Sequence, residues 1–259
     1  MAALVLVVTL LGLLIGSFLN VVIHRVPLGE SVVSPRSRCP GCGTELSWYD
    51  NIPVLSWIVL RGRCRTCSTP ISWRYPVVEL GTGLLFGAVT WWSGATWALP
   101  AYLYLAAIGV ALSAIDIDTK RLPNAIVLPS YAVASGLLLL PALLEGYRTS
   151  LLYAAITGIA LFTFYFLLAF IYPAGMGFGD VKLAGVLGLY LGWSGWGLAV
   201  VATFVAFLLG SVVGVVVMVR SGGGRKTKVP FGPFMLLGTF AALFFGQGVV
   251  DWYFGSLGI

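Results

Sequence analysis

The sequence predicts an all-α polytopic membrane protein of about eight transmembrane helices, N-terminus outside, with a small cytoplasmic domain between helices 1 and 2. Three observations carry that expectation. The chain is made largely of apolar runs, its basic residues gather on one side of them, and its four cysteines fall in a single polar insertion. Of its 259 residues 59% are hydrophobic and only 9% charged, whereas a soluble domain carries roughly 25% charged residues. So few charges cannot cover a globule in water, so the expected solvent is the lipid bilayer.

A helix crossing a bilayer needs about 20 mostly apolar residues. Runs that meet or approach this requirement lie at roughly 3–23, 77–92, 98–115, 125–144, 151–172, 181–193, 198–219 and 231–250. The first run has no basic residue ahead of it and Arg25 behind it, so it reads as a retained transmembrane helix and not a cleaved signal. The sixth, from Val181 to the turn-like Trp193-Ser194-Gly195, is too short to cross about 30 Å at 1.5 Å per residue. Either it extends into the glycine-rich stretch before it, or it starts below the membrane surface. These spans divide the chain into helix 1 (1–23), a polar insertion (24–76) and a membrane domain of about seven helices (77–259). No internal repeat is evident, and 221–228 (SGGGRKTK) reads as a flexible basic loop.

Charge fixes the orientation independently of hydropathy. With the N-terminus outside, the cytoplasmic loops hold Arg25, Arg36, Arg38, Arg61, Arg63, Arg65 and Arg74, then Lys120 and Arg121, then Lys182, then Arg220, Arg225, Lys226 and Lys228. Among the basic residues only Arg148 falls outside, as the positive-inside rule requires. The net charge of +6 therefore reflects loop bias. No basic run interleaved with aromatics stands outside one loop, which excludes nucleic-acid binding.

All four cysteines lie in the insertion, as Cys39-x-x-Cys42 and Cys64-x-x-Cys67. Paired CxxC turns about twenty residues apart are a zinc signature, because each turn aims two thiolates at one point. Disulfides are the competing reading, and the reducing cytoplasm argues against them. Four thiolates close the coordination shell, so the expected zinc is structural. The insertion is too small to build a large core, and domains of its size often need such a staple.

Ionisable groups at membrane depth are costly and usually functional. Glu79, Asp116, Asp118 and Asp180 lie near the cytoplasmic edges of the spans. Asp180 closes the run Gly175-Met176-Gly177-Phe178-Gly179-Asp180 and opens the short sixth helix. It is either a carboxylate in a protein-lined cavity or an ordinary helix cap. Asp116 and Asp118 end the third span. Two positions apart on a helix, they do not share a face, so only one can point into the bundle. Taken alone, either reads as an interfacial stop paired with Lys120 and Arg121. Because the topology puts Asp116 and Asp180 on the same side, the two could meet. Two carboxylates sharing a proton can activate water and polarise a carbonyl together, which is aspartyl peptidase chemistry. His24 is the only histidine and reads as interfacial, so a Ser-His-Asp triad is hard to assemble.

At this point the motifs resemble a known family, the bacterial type IV prepilin peptidases. In order they are Gly16-Ser17-Phe18-Leu19-Asn20 running to Pro27, the two CxxC pairs with Trp48-Tyr49-Asp50-Asn51-Ile52-Pro53 between them, and Pro70 to Pro76 leading to Glu79-Leu80. Asp116 ahead of Leu122-Pro123, Gly177-Phe178-Gly179-Asp180 and Lys228-Val229-Pro230-Phe231-Gly232-Pro233-Phe234 follow. The resemblance covers nearly the whole chain. It selects Asp116 over Asp118 and implies that Asp116 and Asp180 are the catalytic pair of a GxGD aspartyl peptidase. It also implies the substrate, a prepilin or type II secretion pseudopilin precursor. Its short basic leader is cut after a glycine just before an apolar helix, at the cytoplasmic face of the bacterial inner (plasma) membrane. Relatives with the cysteine domain often also N-methylate the new terminus with S-adenosylmethionine, although no glycine-rich nucleotide loop is visible. Asn124 departs from the pattern, many relatives having Asp there. Two other classes compete: a GxGD intramembrane protease cutting within substrate helices, and a non-enzymatic transporter or channel whose acids line an ion path.

Overall fold

The computed structural model describes residues 1–173, 175–221 and 229–256, so the basic loop expected at 221–228 lies almost wholly outside the described residues. The described chain is helical, with two isolated antiparallel bridges and no longer strand pairing. In order the helices are α1 (Ala2–Arg25), α2 (Leu55–Val59), α3 (Arg74–Ser93), α4 (Leu99–Thr119), α5 (Asn124–Leu144), α6 (Arg148–Ile171), α7 (Phe178–Ser194), α8 (Gly197–Ser221) and α9 (Gly232–Ser256). Among the described residues six helices are long and apolar enough to cross a membrane, namely α1, α4, α5, α6, α8 and α9. The two remaining expected spans coincide with α3 and α7, of 20 and 17 residues, which fall outside that set of six.

The chain divides into two compact units, Met1–Ala111 and Leu112–Ile259. In the first, α1 packs along α3. Between them in sequence, the insertion forms two turns that repeat one another. In each the first cysteine donates its backbone N–H to a threonine carbonyl, Cys39 to Thr44 and Cys64 to Thr69, both at 2.9 Å. The residue after each second cysteine returns a hydrogen bond to the first cysteine carbonyl, from Gly43 and from Ser68, again at 2.9 Å. Both of these residues have positive φ, 71° and 59°. The two bridges, Arg38 with Glu45 and Arg63 with Pro70, occupy equivalent places. The segments share the pattern Arg-Cys-x-x-Cys-x-Thr, a repeat too short to be evident in the sequence and plain in the backbone.

In the second unit, α6 packs along α7 and α8 along α9, while α7 also meets α5, α8 and α9. Helix α7 starts at Phe178, inside the glycine-rich stretch, so it lengthens backwards into the motif. Its residues are buried on nearly all sides, from Asp180 to Gly192. A helix enclosed by protein needs no full apolar length against lipid, which accounts for its shortness. By contrast α6 and α8 carry exposed apolar side chains such as Ile159, Phe170, Phe204 and Val219, a surface suited to acyl chains and not to water.

The tight α6–α7 seam depends on absent side chains. A Cβ at Gly188 would lie 2.6 Å from the Gly158 Cα and 2.7 Å from the Thr157 carbonyl oxygen. Both are backbone atoms of α6 that cannot step aside, as in close membrane helix pairs generally. Gly188→Leu is expected to destabilise the fold by at least about 1–3 kcal/mol, read as a lower unfolding temperature in detergent. An unchanged midpoint would mean that the seam is not formed.

Candidate active site

Asp116 lies in the last turn of α4, which stops where Lys120 takes a positive φ of 53°. Its side chain is only 4% exposed, while Asp118 is exposed. The Asp116 Oδ2 accepts the backbone N–H of Gly232 at 3.0 Å. Gly232 is the first residue of α9, whose opening N–H groups have no partner within the helix. The carboxylate of Asp116 therefore sits at the positive end of a helix contributed from far along the chain.

Asp180 lies in the first turn of α7 and is 9% exposed. Gly177 occupies the capping position, and the Asp180 Oδ2 accepts its N–H at 3.2 Å. The side chain thus reaches back to the start of its own helix, one half of a capping box. Both readings left open by the sequence hold in part: the residue serves the helix terminus and is also buried. The two carboxyl groups are close enough for their charges to interact.

Leu122 joins the two arms. A Cβ on Gly179 would meet the Leu122 Cβ at 3.0 Å, and a Cβ on Gly232 would meet the Leu122 Cδ2 at 3.3 Å and the Asp116 Oδ2 at 2.9 Å. Glycine at these two positions lets the starts of α7 and α9 close around the α4–α5 turn without crowding Leu122 or Asp116. Beside them Tyr165, Phe207 and Phe231 form an aromatic cluster with ring centroids 5.2 to 6.3 Å apart. Tyr165 hydrogen-bonds with Thr203, and its hydroxyl is within electrostatic reach of Asp180. Lys182 donates to the Asn124 Oδ1 at 2.8 Å and lies 4.8 Å above the Phe178 ring. The unusual Asn124 is therefore an anchor for the lysine beside Asp180.

In the first unit the four thiols converge, with all sulfurs within 4.8 Å of one another. Cys39 Sγ and Cys67 Sγ are 3.7 Å apart, close to the edge of a tetrahedron built on metal–sulfur bonds of about 2.3 Å. The Thr69 hydroxyl and backbone N–H hold the Cys67 thiol down at about 6, and the N–H groups of Cys67 and Thr66 lower Cys64. Although the N–H groups of Cys42 and Gly41 are directed at it, Cys39 is pushed up to about 11 by burial and by its neighbours Cys64 and Cys67. Thiolates stabilised and crowded in this way fit a bound cation. Around them Arg65 grips Asp50 through two nitrogens at 2.8 and 3.0 Å and covers the Tyr49 ring, so the aromatic motif between the cysteine pairs is fastened to the second turn.

Sequence reasoning named Glu79 among the acids near the membrane edges but gave it no role. It is 8% exposed and accepts the Val54 N–H at 2.7 Å, together with a hydrogen bond from Ser17. Val54 has a φ of 62°, rare for a β-branched residue, and the carboxylate holds it there. Asn20 donates to the Tyr75 carbonyl nearby. The Gly16-Ser17-x-x-Asn20 and Pro76-x-x-Glu79 motifs thus meet at one seam. His24 is exposed on the last turn of α1.

These features define a helical membrane-type protein with a buried carboxylate pair at two helix starts and a separate four-thiol cluster. The bacterial peptidase A24 N-terminal domain matches residues 10–93, and the type IV leader peptidase family matches residues 103–219. The prepilin leader peptidase/N-methyltransferase of Stutzerimonas stutzeri is 36% identical over 97% of this chain and 94% of its own length. That of Pseudomonas aeruginosa is 35% identical over 97% and 93%, and that of Aeromonas hydrophila is 36% identical over 95% and 92%. No solved structure matches the chain. The chain belongs to the type IV leader peptidase family.

Proposed function

We propose that the chain is a bifunctional prepilin leader peptidase and N-methyltransferase, with Asp116 and Asp180 as its peptidase dyad. The observation that carries the dyad is two buried carboxyl groups within reach of each other's charge, each held by a backbone N–H at a helix start. One ionised carboxylate takes a proton from water while its protonated partner donates a hydrogen bond to the scissile carbonyl. The hydroxide formed attacks the carbonyl carbon. The tetrahedral species then collapses, the C–N bond breaks, and the leaving amine takes up the proton. The substrates are precursors of type IV pilins and type II secretion pseudopilins, cut after a glycine between a short basic leader and an apolar helix. A multi-pass position in the bacterial inner membrane with the dyad at the cytoplasmic face would meet that bond, since the leader stays in the cytoplasm.

Cys39, Cys42, Cys64 and Cys67 would hold a structural zinc that organises the insertion, 24–76, as a small domain associated with methyl transfer. S-adenosylmethionine is the methyl donor on this reading, supplying a methyl group to the newly exposed N-terminus.

Asp116→Asn and Asp180→Asn are each expected to lower cleavage of a purified precursor by at least about a hundredfold, with Asp118→Asn close to wild type. Processing that survives both dyad substitutions would sink the aspartyl mechanism and favour an ion-transport role for the acids. Gly232→Ala, whose Cβ would press on the Asp116 Oδ2, is expected to lower kcat about a hundredfold, the scale of an ångström displacement. Purified protein should contain about one zinc per chain by elemental analysis, matching the four-thiolate site. Cys64→Ser should lose it and expose 24–76 to protease. A metal-free insertion that still resists protease would overturn the structural assignment.

A further inference from the structure

Outside the dyad, the second unit carries an apolar groove of about 760 Å³ between α6 and α8. Ile156, Ala160 and Phe164 line it from α6, and Trp196, Val200 and Phe204 from the α8 side. The residues from α6 recur at helical spacing, so the groove follows the helix axis. Small side chains form part of it, namely Thr157 and Ala160 on α6 and Ala199 and Thr203 on α8, with aromatic rings around them. Small residues at this spacing let a further helix approach closely within lipid.

The groove borders the aromatic cluster that stands beside the dyad. Leu161 and Thr203 line it and also line a second, smaller cavity that Tyr165, Ala184 and Met235 enclose. Thr203 hydrogen-bonds with Tyr165, whose hydroxyl feels the Asp180 charge. Thr203 thus lies between the groove and Tyr165, whose ring packs 6.3 Å from that of Phe231, the neighbour of the Gly232 that donates to Asp116.

We infer that the α6–α8 groove receives the apolar helix of the precursor, seating the helix as a third element between α6 and α8 with its N-terminal end at Tyr165. The inference rests on the proposed peptidase reading, in which the scissile bond immediately precedes that helix. A bond held at the carboxylates leaves the helix that follows it in an apolar environment, and this groove is an apolar surface that leads to the aromatic cluster beside them. The groove runs along helices that end near the dyad, so the docked segment lies parallel to them as a helix-in-groove contact. Register in the groove would set which peptide bond reaches the carboxylates, making Ala160, Val200 and Thr203 determinants of cleavage position.

Two measurements test this in the full-length protein in liposomes. A photo-crosslinking side chain at Val200, placed in an Asp180→Asn background so that the precursor is bound without being cut, should label the precursor's apolar helix and spare its leader. Ala160→Trp and Val200→Trp fill the groove from exposed positions without displacing a packed side chain, and should raise KM for the precursor at least tenfold. Ile159→Trp, on the outward face of α6, should leave KM within twofold of wild type. Crosslinks confined to lipid, with unchanged KM in both groove variants, would assign the groove to an acyl chain and overturn the inference while leaving the dyad intact. Cleavage by Asp180→Asn would instead refute the dyad, and the crosslink to the precursor helix would then decide the groove on its own.

Discussion

Keeping a carboxylate ionised inside a helical bundle is the constraint from which the arrangement of the second unit follows. A charged side chain at membrane depth costs on the order of 2.5–3.5 kcal/mol on insertion scales. A helix terminus returns up to about 2 kcal/mol in partly buried geometry, and a hydrogen bond to a charged group about 1.5–3 kcal/mol. One helix start with one backbone N–H is therefore enough to support a single negative charge. It is not enough for two, because neighbouring like charges also repel each other, and the more so away from water. The protein provides two helix starts, α7 at Asp180 and α9 at Asp116. A pair that shares one proton is the arrangement that the proposed acid–base chemistry calls for.

The same constraint explains the glycines. To bring a helix start to a carboxylate on another helix, the backbone itself must approach, and any side chain at the first residue stands in the way. Gly232 and Gly179 meet this need around Leu122. Gly188 meets it along the α6–α7 seam, where it lets a fully enclosed helix sit deep among its neighbours. Enclosure in turn excludes lipid and bulk water from Asp180, which strengthens the hydrogen bonds that hold it.

The apolar runs were legible in the sequence to within a few residues because hydropathy is a local property, readable without knowing any contact. The CxxC pairs were legible for the same reason, since their turn chemistry lies within each short segment. What escaped were pairings between distant segments. Nothing near Asp116 in sequence announces that Gly232 will donate to it, and nothing near Glu79 announces Val54. The Arg-Cys-x-x-Cys-x-Thr repeat was hidden because only four of its positions recur, although its backbone hydrogen bonds coincide in both copies. The start of α7 was ambiguous because glycines weaken helical propensity. Burial among four other helices decides the matter in favour of helix.

Glu79 and Asp116 answer one problem in two ways, and the difference bears on what each can do. Glu79 accepts a backbone N–H from Val54 and a hydrogen bond from Ser17, and in doing so fastens a strained loop of the insertion to α3. Both of these bonds serve structure, and moving the carboxylate would release Val54 from a backbone conformation it would not adopt alone. Among the described residues Asp116 accepts one backbone N–H, at Oδ2, so its other oxygen can meet water, substrate or Asp180. A carboxylate with a free oxygen beside a second carboxylate can exchange a proton, whereas one tied on both sides can only hold position. Burial alone would have chosen both residues as catalytic candidates. What each carboxylate already binds among the described residues sets Glu79, which fastens a loop, apart from Asp116, proposed above as half of the dyad.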